Sequence, residues 1–307
     1  MKRNIYTTGE CILDVTFREN EVFFLSPGGS KLNTAVSLGR AGLPVHMVSE
    51  CSDDPVGRFI LSFLRSNNVS TEFIAPCGGQ VRIAFAFLDA DNDAHYTFYK
   101  GMQNESPAWK EPAFAQDDLL LFGSFYSLKA ENRPNIMKLI TAARGSGCIL
   151  VYDPNYRTPH LRELASVTPS ILENIQLADI VRGSDEDFGN IFQTCDPDRI
   201  YSQVVSAGGK TLILTQGSRE VVLFTEKIRK AYPVPAIRTV STIGAGDSFN
   251  AGLIFEMVRS NISHSDLMSL EEEEWNKLIG TAIAFASHVC TEKSNFISID
   301  FATHLLQ

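Results

Sequence analysis

The sequence predicts an α/β fold: a central, mainly parallel sheet covered by helices on both faces, with a small β-rich appendage. Three observations lead there. Strand-like and helix-like segments alternate through most of the chain, the pattern of a parallel sheet with helical crossovers. Short strands near the start, and a hairpin pattern near residue 90, break that alternation and call for a second, smaller sheet. No Pro- or Gly-rich linker divides the 307 residues, so residues 1–307 read as one domain. The appendage then comes from strands roughly within 10–26 and 80–103.

Residues 4–7 and 10–15 carry strand patterns. Residues 31–41 are helical and stop at Gly42 and Pro44. VHMVS at 45–49 is a strand. Asp54 offers an N-cap with Pro55 at the first helical position, so a helix should run to about Asn67. Residues 81–88 and 94–99 flank the acidic turn DADND and read as a β-hairpin. The later half is more regular. Strand 118–122, helix 131–143, strand 148–152, a helix near 169–174 and strand 178–182 come in order. Helix 197–206, strand 211–215, a hairpin over 220–235 and helices 247–259 and 272–290 follow. The charge run Glu271–Glu274 suits the start of the last helix, where the dipole is positive.

Composition narrows the function classes. The net charge of -9, from 27 basic and 36 acidic residues, argues against a nucleic-acid-binding surface. Six cysteines form no CxxC pair and stand at no metal-ligand spacing from a histidine, which fits reduced thiols in a cytoplasm. The start, MKRNIYTTGECILDV, lacks the apolar core of a signal peptide, and apolar runs such as LLLF at 119–122 are far too short to span a bilayer. A cytoplasmic protein without membrane or nucleic-acid partners is expected.

The stretch STIGAGDSF at 241–249 is the main chemical signal. Phe249, Leu253 and the pair Met257/Val258 share one helical face, so a helix begins at or just before Asp247. Its first N–H groups lack internal partners and its dipole is positive there. Gly244, Ala245 and Gly246 let an anion reach those amides without meeting large side chains. Asp247 then has two readings: a cap folded onto its own helix, or a base that takes a hydroxyl proton while the amides stabilise a transferring phosphoryl group. Geometry separates the two. Asp153, Asn155 and Arg157, then Gly183 and Ser184, then Thr215 and Gly217 all follow predicted strands, so the carboxyl edge of one sheet could gather them. The motifs GxxxxGK[ST], GxGxxG and GxSxG are absent.

These pieces make the chain resemble the PfkB, or ribokinase-like, family of sugar kinases. Its C-terminal signature corresponds to STIGAGD at 241–247, and its N-terminal one to PGGSKLNTAVSLGRAG at 27–42. GECILD at 9–14, SDDPVG at 52–57, DPNYR at 153–157, ADIVRGSDED at 178–187 and LTQG at 214–217 extend the likeness over nearly the whole chain. The resemblance implies a ribokinase-like three-layer fold in which the small β-sheet is a lid over the sugar. It implies ATP-dependent, Mg²⁺-assisted phosphorylation of a sugar hydroxyl. By position, Asp247 matches the family's base and Gly244, Ala245 and Gly246 its anion hole. Asp14, Gly28, Gly29 and Asn33 match sugar-contacting positions, and Thr215, Gly217 and Thr242 fall near the nucleotide. Asp187, where the family has a longer acid, would organise water around Mg²⁺. Ser241 stands where the family often has an aspartate that helps hold a monovalent cation, which leaves that cation open.

Arg157 is the specificity clue, because similar DxNxR segments occur in fructokinases and 2-keto-3-deoxygluconate kinases of this family. Arg82 and the Phe98-Tyr99-Lys100 end of the hairpin are further sugar-side candidates. Fructokinase, most like the bacterial enzymes, is the expected activity. A keto-deoxygluconate kinase is the alternative, followed by other sugar or nucleoside kinases of the family and by a catalytically silent sugar-binding relative. A β-rich lid exposes sheet edges, so a homodimer through the lid is expected.

Overall fold

Two alternating sets of apolar side chains build the molecule. Along the strand Leu119–Gly123, Leu119 and Leu121 face one core while Leu120 and Phe122 face another. A strand buried on both faces is the mark of a parallel sheet sandwiched between helices. The computed structural model describes residues 3–19, 21–89, 94–99, 101 and 109–305.

In chain order the elements are β1 (Ile5–Thr8), β2 (Ile12–Arg18), β3 (Glu21–Gly28), α1 (Ser30–Arg40), β4 (Val45–Ser52), α2 (Pro55–Ser66), β5 (Val69–Cys77), β6 (Arg82–Leu88) and β7 (Ala94–Tyr99). Then come β8 (Leu119–Gly123), α3 (Arg133–Gly145), β9 (Ile149–Asp153), α4 (Leu164–Leu177), β10 (Ile180–Ser184), α5 (Asp185–Phe192) and α6 (Pro197–Ser206). The chain closes with β11 (Leu212–Thr215), β12 (Glu220–Phe224), β13 (Arg229–Pro233), α7 (Ala245–Arg259), α8 (Glu272–Cys290) and α9 (Ile299–Leu305).

The large sheet has the order β13-β12-β11-β10-β9-β8-β1-β4-β5 and is parallel except for β12 and β13 at one edge. Helices α1, α2, α7 and α8 fill one face and α3 to α6 the other. From β1 the sheet grows one way through β4 and β5, and from β8 the other way. The order therefore reverses between β1 and β8, where open α/β sheets bind ligands. The second sheet, β3-β2-β6-β7, is the small one the early strands required.

Helix starts follow their local chemistry. Asp54 caps α2 by accepting the Gly57 N–H at 2.7 Å. Glu271 and Glu274 form a reciprocal capping box at the start of α8. Three elements went unread in the sequence, β5, α5 and α9, and β3 was read only as part of the strands expected roughly within 10–26. The helix expected near 169–174 is longer, Leu164–Leu177, and carries Pro169 inside it. The strand expected at 178–182 runs Ile180–Ser184. The turn of the predicted hairpin at 90–93 and Lys100 lie outside the described residues.

Candidate active site

Glycine builds the centre of the site. Gly244 precedes α7 with φ +82°, a left-handed conformation, and a Cβ there would collide with the Asn295 carbonyl. The turn delivers the first amides of α7 to a cavity of about 2670 Å³. That exceeds the roughly 300–1,000 Å³ of a pocket for one small ligand. The Ala245 N–H already bonds the Thr242 carbonyl at 3.2 Å. Gly246 and Asp247 lie in the first helical turn, where N–H groups have no carbonyl one turn back.

Asp247 does not cap its own helix. Its Oδ1 accepts the Ser30 hydroxyl at 2.7 Å and its Oδ2 accepts the Asn33 amide at 2.9 Å, both from α1. Thr34 also donates to the Asp247 carbonyl at 2.9 Å, tying α1 to α7. The carboxyl is thus turned across to another element at the cavity wall. Burial pushes its pKa above the ordinary carboxylate range, and Asp153 adds to that; Lys31, Asn33 and Ser30 pull the other way. Asn33 keeps a buried Oδ1 with no partner among the described residues.

Asp14, near the start of β2, is buried and accepts the Asn295 amide at 3.2 Å. Burial first, and the neighbouring Asp247 second, push its pKa up to about 7. Gly28 pairs opposite Ile12, and a Cβ there would overlap the Asp14 carboxyl. Gly29 opens α1 with φ +118°.

The cavity gathers most of the candidates: Asp14, Gly29, Asn33, Arg157, Asp187, Thr215, Gly217, Thr242 and residues 244–247 all line it. Gly28 is not among the lining residues; it makes room for Asp14. Arg157 bonds Glu186 at 2.9 Å on the wall formed by α5. Phe98 pairs through its backbone with Ala84, and its side chain lies outside the described residues. Thr215 ends β11 and accepts from Arg182 at 2.9 Å. Asp187 completes a capping box with Ser184, using one carboxylate oxygen; the other, Oδ1, is buried with no partner. A leftover acceptor on the wall fits a role in holding water around a cation. Ser241 is buried and accepts the Ile243 N–H at 3.2 Å, so its hydroxyl serves the turn.

Residues 2–300 match the pfkB family of carbohydrate kinases. The chain belongs to this family. It is 28% identical over 280 residues to a fructokinase of Rhizobium leguminosarum bv. trifolii, covering 88% of this chain and 84% of that one. Its fold matches a Vibrio cholerae fructokinase double mutant with fructose, ADP and potassium bound (TM-score 0.83, 18% identity, 100% and 99% coverage). It also matches a Salmonella enterica aminoimidazole riboside kinase complexed with its riboside and an ATP analogue (TM-score 0.80, 20% identity, 99% and 100% coverage). This pfkB member is therefore a sugar phosphotransferase. No helix among its described residues is long and apolar enough to cross a membrane.

Several charged residues of the kinase were not assigned from sequence. Lys31 and Arg182 are buried around Asp153. Glu10 pairs with both Arg82 (2.7 Å) and Lys129 on the cavity wall. Burial would raise the Glu10 carboxyl, yet Lys129 and Arg82 outweigh it and hold it below its usual range. Polar residues inside a helix or strand read as solvated from sequence. Gly246, where a Cβ would come within 2.8 Å of the Arg182 Nη1, also leaves room for that buried cation.

Proposed function

We propose that this kinase transfers the γ-phosphoryl group of ATP to a hydroxyl of fructose, with Asp247 as the base. The observation that carries the proposal is the Asp247 carboxyl, held by Ser30 and Asn33 at the cavity wall instead of capping α7. The sugar hydroxyl gives its proton to this carboxylate as its oxygen attacks the γ-phosphorus, and the bond from that phosphorus to the β,γ-bridging oxygen breaks, so that ADP leaves. Charge growing on the phosphoryl oxygens meets the amides at the N-terminus of α7 and the positive end of its dipole. Asp14 and the unpartnered Oδ1 of Asn33 supply the acceptors that neutral sugar hydroxyls need. Thr215, Gly217 and Thr242 belong to the nucleotide end of the cavity. Mg²⁺ would neutralise phosphate charge, with the spare oxygen of Asp187 holding its water. Ser241 offers a neutral hydroxyl where an aspartate would offer charge, so potassium is not part of the proposal.

A neutral sugar is favoured over an acid or phosphorylated one. Arg82 and Lys129 share Glu10, Arg157 faces Glu186, and Asp14, Glu50, Asp187 and Asp247 line the same cavity, so the wall offers an anionic sugar no surplus of positive charge. We further assign residues 12–28 and 82–99 as the lid. Their sheet exposes Val22, Leu25, Phe87 and Tyr99, and burying that apolar face between two lids would give a homodimer. A cytoplasmic setting accords with cysteines that form no disulfide.

A sugar panel tests the substrate. Purified protein with ATP and Mg²⁺ should release ADP with fructose. Release only with keto-deoxygluconate, or only with a riboside, would replace fructose as the substrate. No release with any sugar would remove the catalytic reading.

A further inference from the structure

Lys31 is a lysine with no exposed surface, placed inside a helix beside the candidate base. A buried ammonium is costly unless every hydrogen finds a partner. Here the Nζ donates to the Ser30 hydroxyl at 3.0 Å, the Asp153 carboxylate at 3.1 Å and the Asp153 carbonyl at 3.3 Å. Space for its stem comes from Gly9, where a Cβ would approach the Lys31 Cβ and Cγ to 2.9 Å.

The Ser30 hydroxyl is the link. Its oxygen accepts from Lys31, so its hydrogen is directed to the Asp247 Oδ1, 2.7 Å away. A neutral residue at position 31 would leave that hydroxyl free to turn. Around the site, α1 contributes Lys31, Ser30 and Asn33, β9 contributes Asp153, β10 contributes Arg182, and β2 contributes Asp14. Asp153 also accepts from Asn250 at 2.6 Å and has Arg182 at 3.7 Å. Burial would raise the Asp153 carboxyl, but Lys31 and Arg182 hold it below its usual range. Lys31 and Arg182 both stand beside Asp153, Lys31 also acts on Asp247, and the Asp14 carboxyl lies close to Asp247, so losing Lys31 removes positive charge from a cluster rich in carboxyls.

We propose that Lys31 is a positioning residue that acts through the Ser30 hydroxyl to orient and charge-balance the Asp247 carboxylate. This deepens the role proposed for Asp247. Lys31 touches no reacting atom. Its loss leaves an excess negative charge that a proton on Asp247 relieves.

The test reads Asp247 itself, so it works whether or not fructose is the substrate. The side-chain carboxyls are labelled with ¹³C and titrated by NMR, and the Asp247 signal is identified by its loss in Asp247→Asn. In Lys31→Met the Asp247 midpoint should rise by about one pH unit or more, the usual effect of removing a nearby opposite charge. The acidic limb of kcat for whichever sugar the wild type accepts should move with it. A folded Lys31→Met with an unmoved midpoint overturns the proposal, even if its activity falls. Should Lys31→Met fail to fold, Ser30→Ala decides. It keeps the charge and cuts the link, so the midpoint should rise by a smaller amount and kcat should drop several-fold with KM little changed. An unchanged midpoint and kcat in Ser30→Ala would also overturn it. Absence of kinase activity in a wild type whose Asp247 midpoint responds to Lys31→Met would instead count against the proposed function alone.

Discussion

Asp14 holds a carboxyl where charge is expensive. In the folded chain it titrates at about 7, whereas an unfolded aspartate titrates near about 3.9. Between those values the folded state keeps a proton that the unfolded state has released. Asp14 therefore costs nothing at pH 4 and destabilises increasingly as pH rises toward 7. Asp14→Asn removes this dependence. Its melting temperature relative to wild type should climb between pH 4 and about pH 7 and then level off in a series of thermal melts. A constant difference across that range would mean that Asp14 is not protonated in the way its surroundings imply. The same substitution should weaken sugar binding, because an amide cannot accept on both of its heavy atoms.

At the scale of elements, the turn into α7 is the part least able to change. Gly244→Ala combines a left-handed φ with a collision against the Asn295 carbonyl. It should cost at least about 1–3 kcal/mol in denaturant unfolding and lower turnover more than that loss alone explains. Unaltered stability would show that the turn has another conformation available. Asp54→Ala removes both the Gly57 bond and a bond at 3.1 Å from the Val81 N–H, and should cost about 1 kcal/mol or slightly more. These two features were legible in sequence because each has a local signature: glycines before an apolar helix, and Asp-Pro at a helix start. β5 was not, because Glu72 and Pro76 interrupt its alternation. β3 turns its central residues only partly inward, so its pattern is weak. α5 spans eight residues and opens on three acids, which masked its helical period. Glycine spacing marked Asp247. Lys31 and Arg182 remained unread because burial of a cation depends on Asp153, distant in sequence from Lys31 and supplied by another strand.

Over the whole molecule, the alternation of strands and helices foretold the parallel sheet and its two covering layers. It could not give the strand order, which depends on where β1 and β8 meet. The small sheet, the proposed lid, bears on assembly. Leu25 is 50% exposed and Tyr99 57% exposed on the small sheet. Light scattering should report twice the chain mass, and Leu25→Lys should halve it; a monomeric wild type would rule the lid pairing out. The Asp247 carboxyl, held by α1 at the cavity wall, is the proposed base. The direct measurement is steady-state turnover of Asp247→Asn with ATP and fructose, beside calorimetric binding of fructose to the same protein. Turnover should fall by about 10²–10⁴-fold while fructose binding stays within a few-fold of wild type. Near-normal turnover in that variant would contradict the assignment of the base.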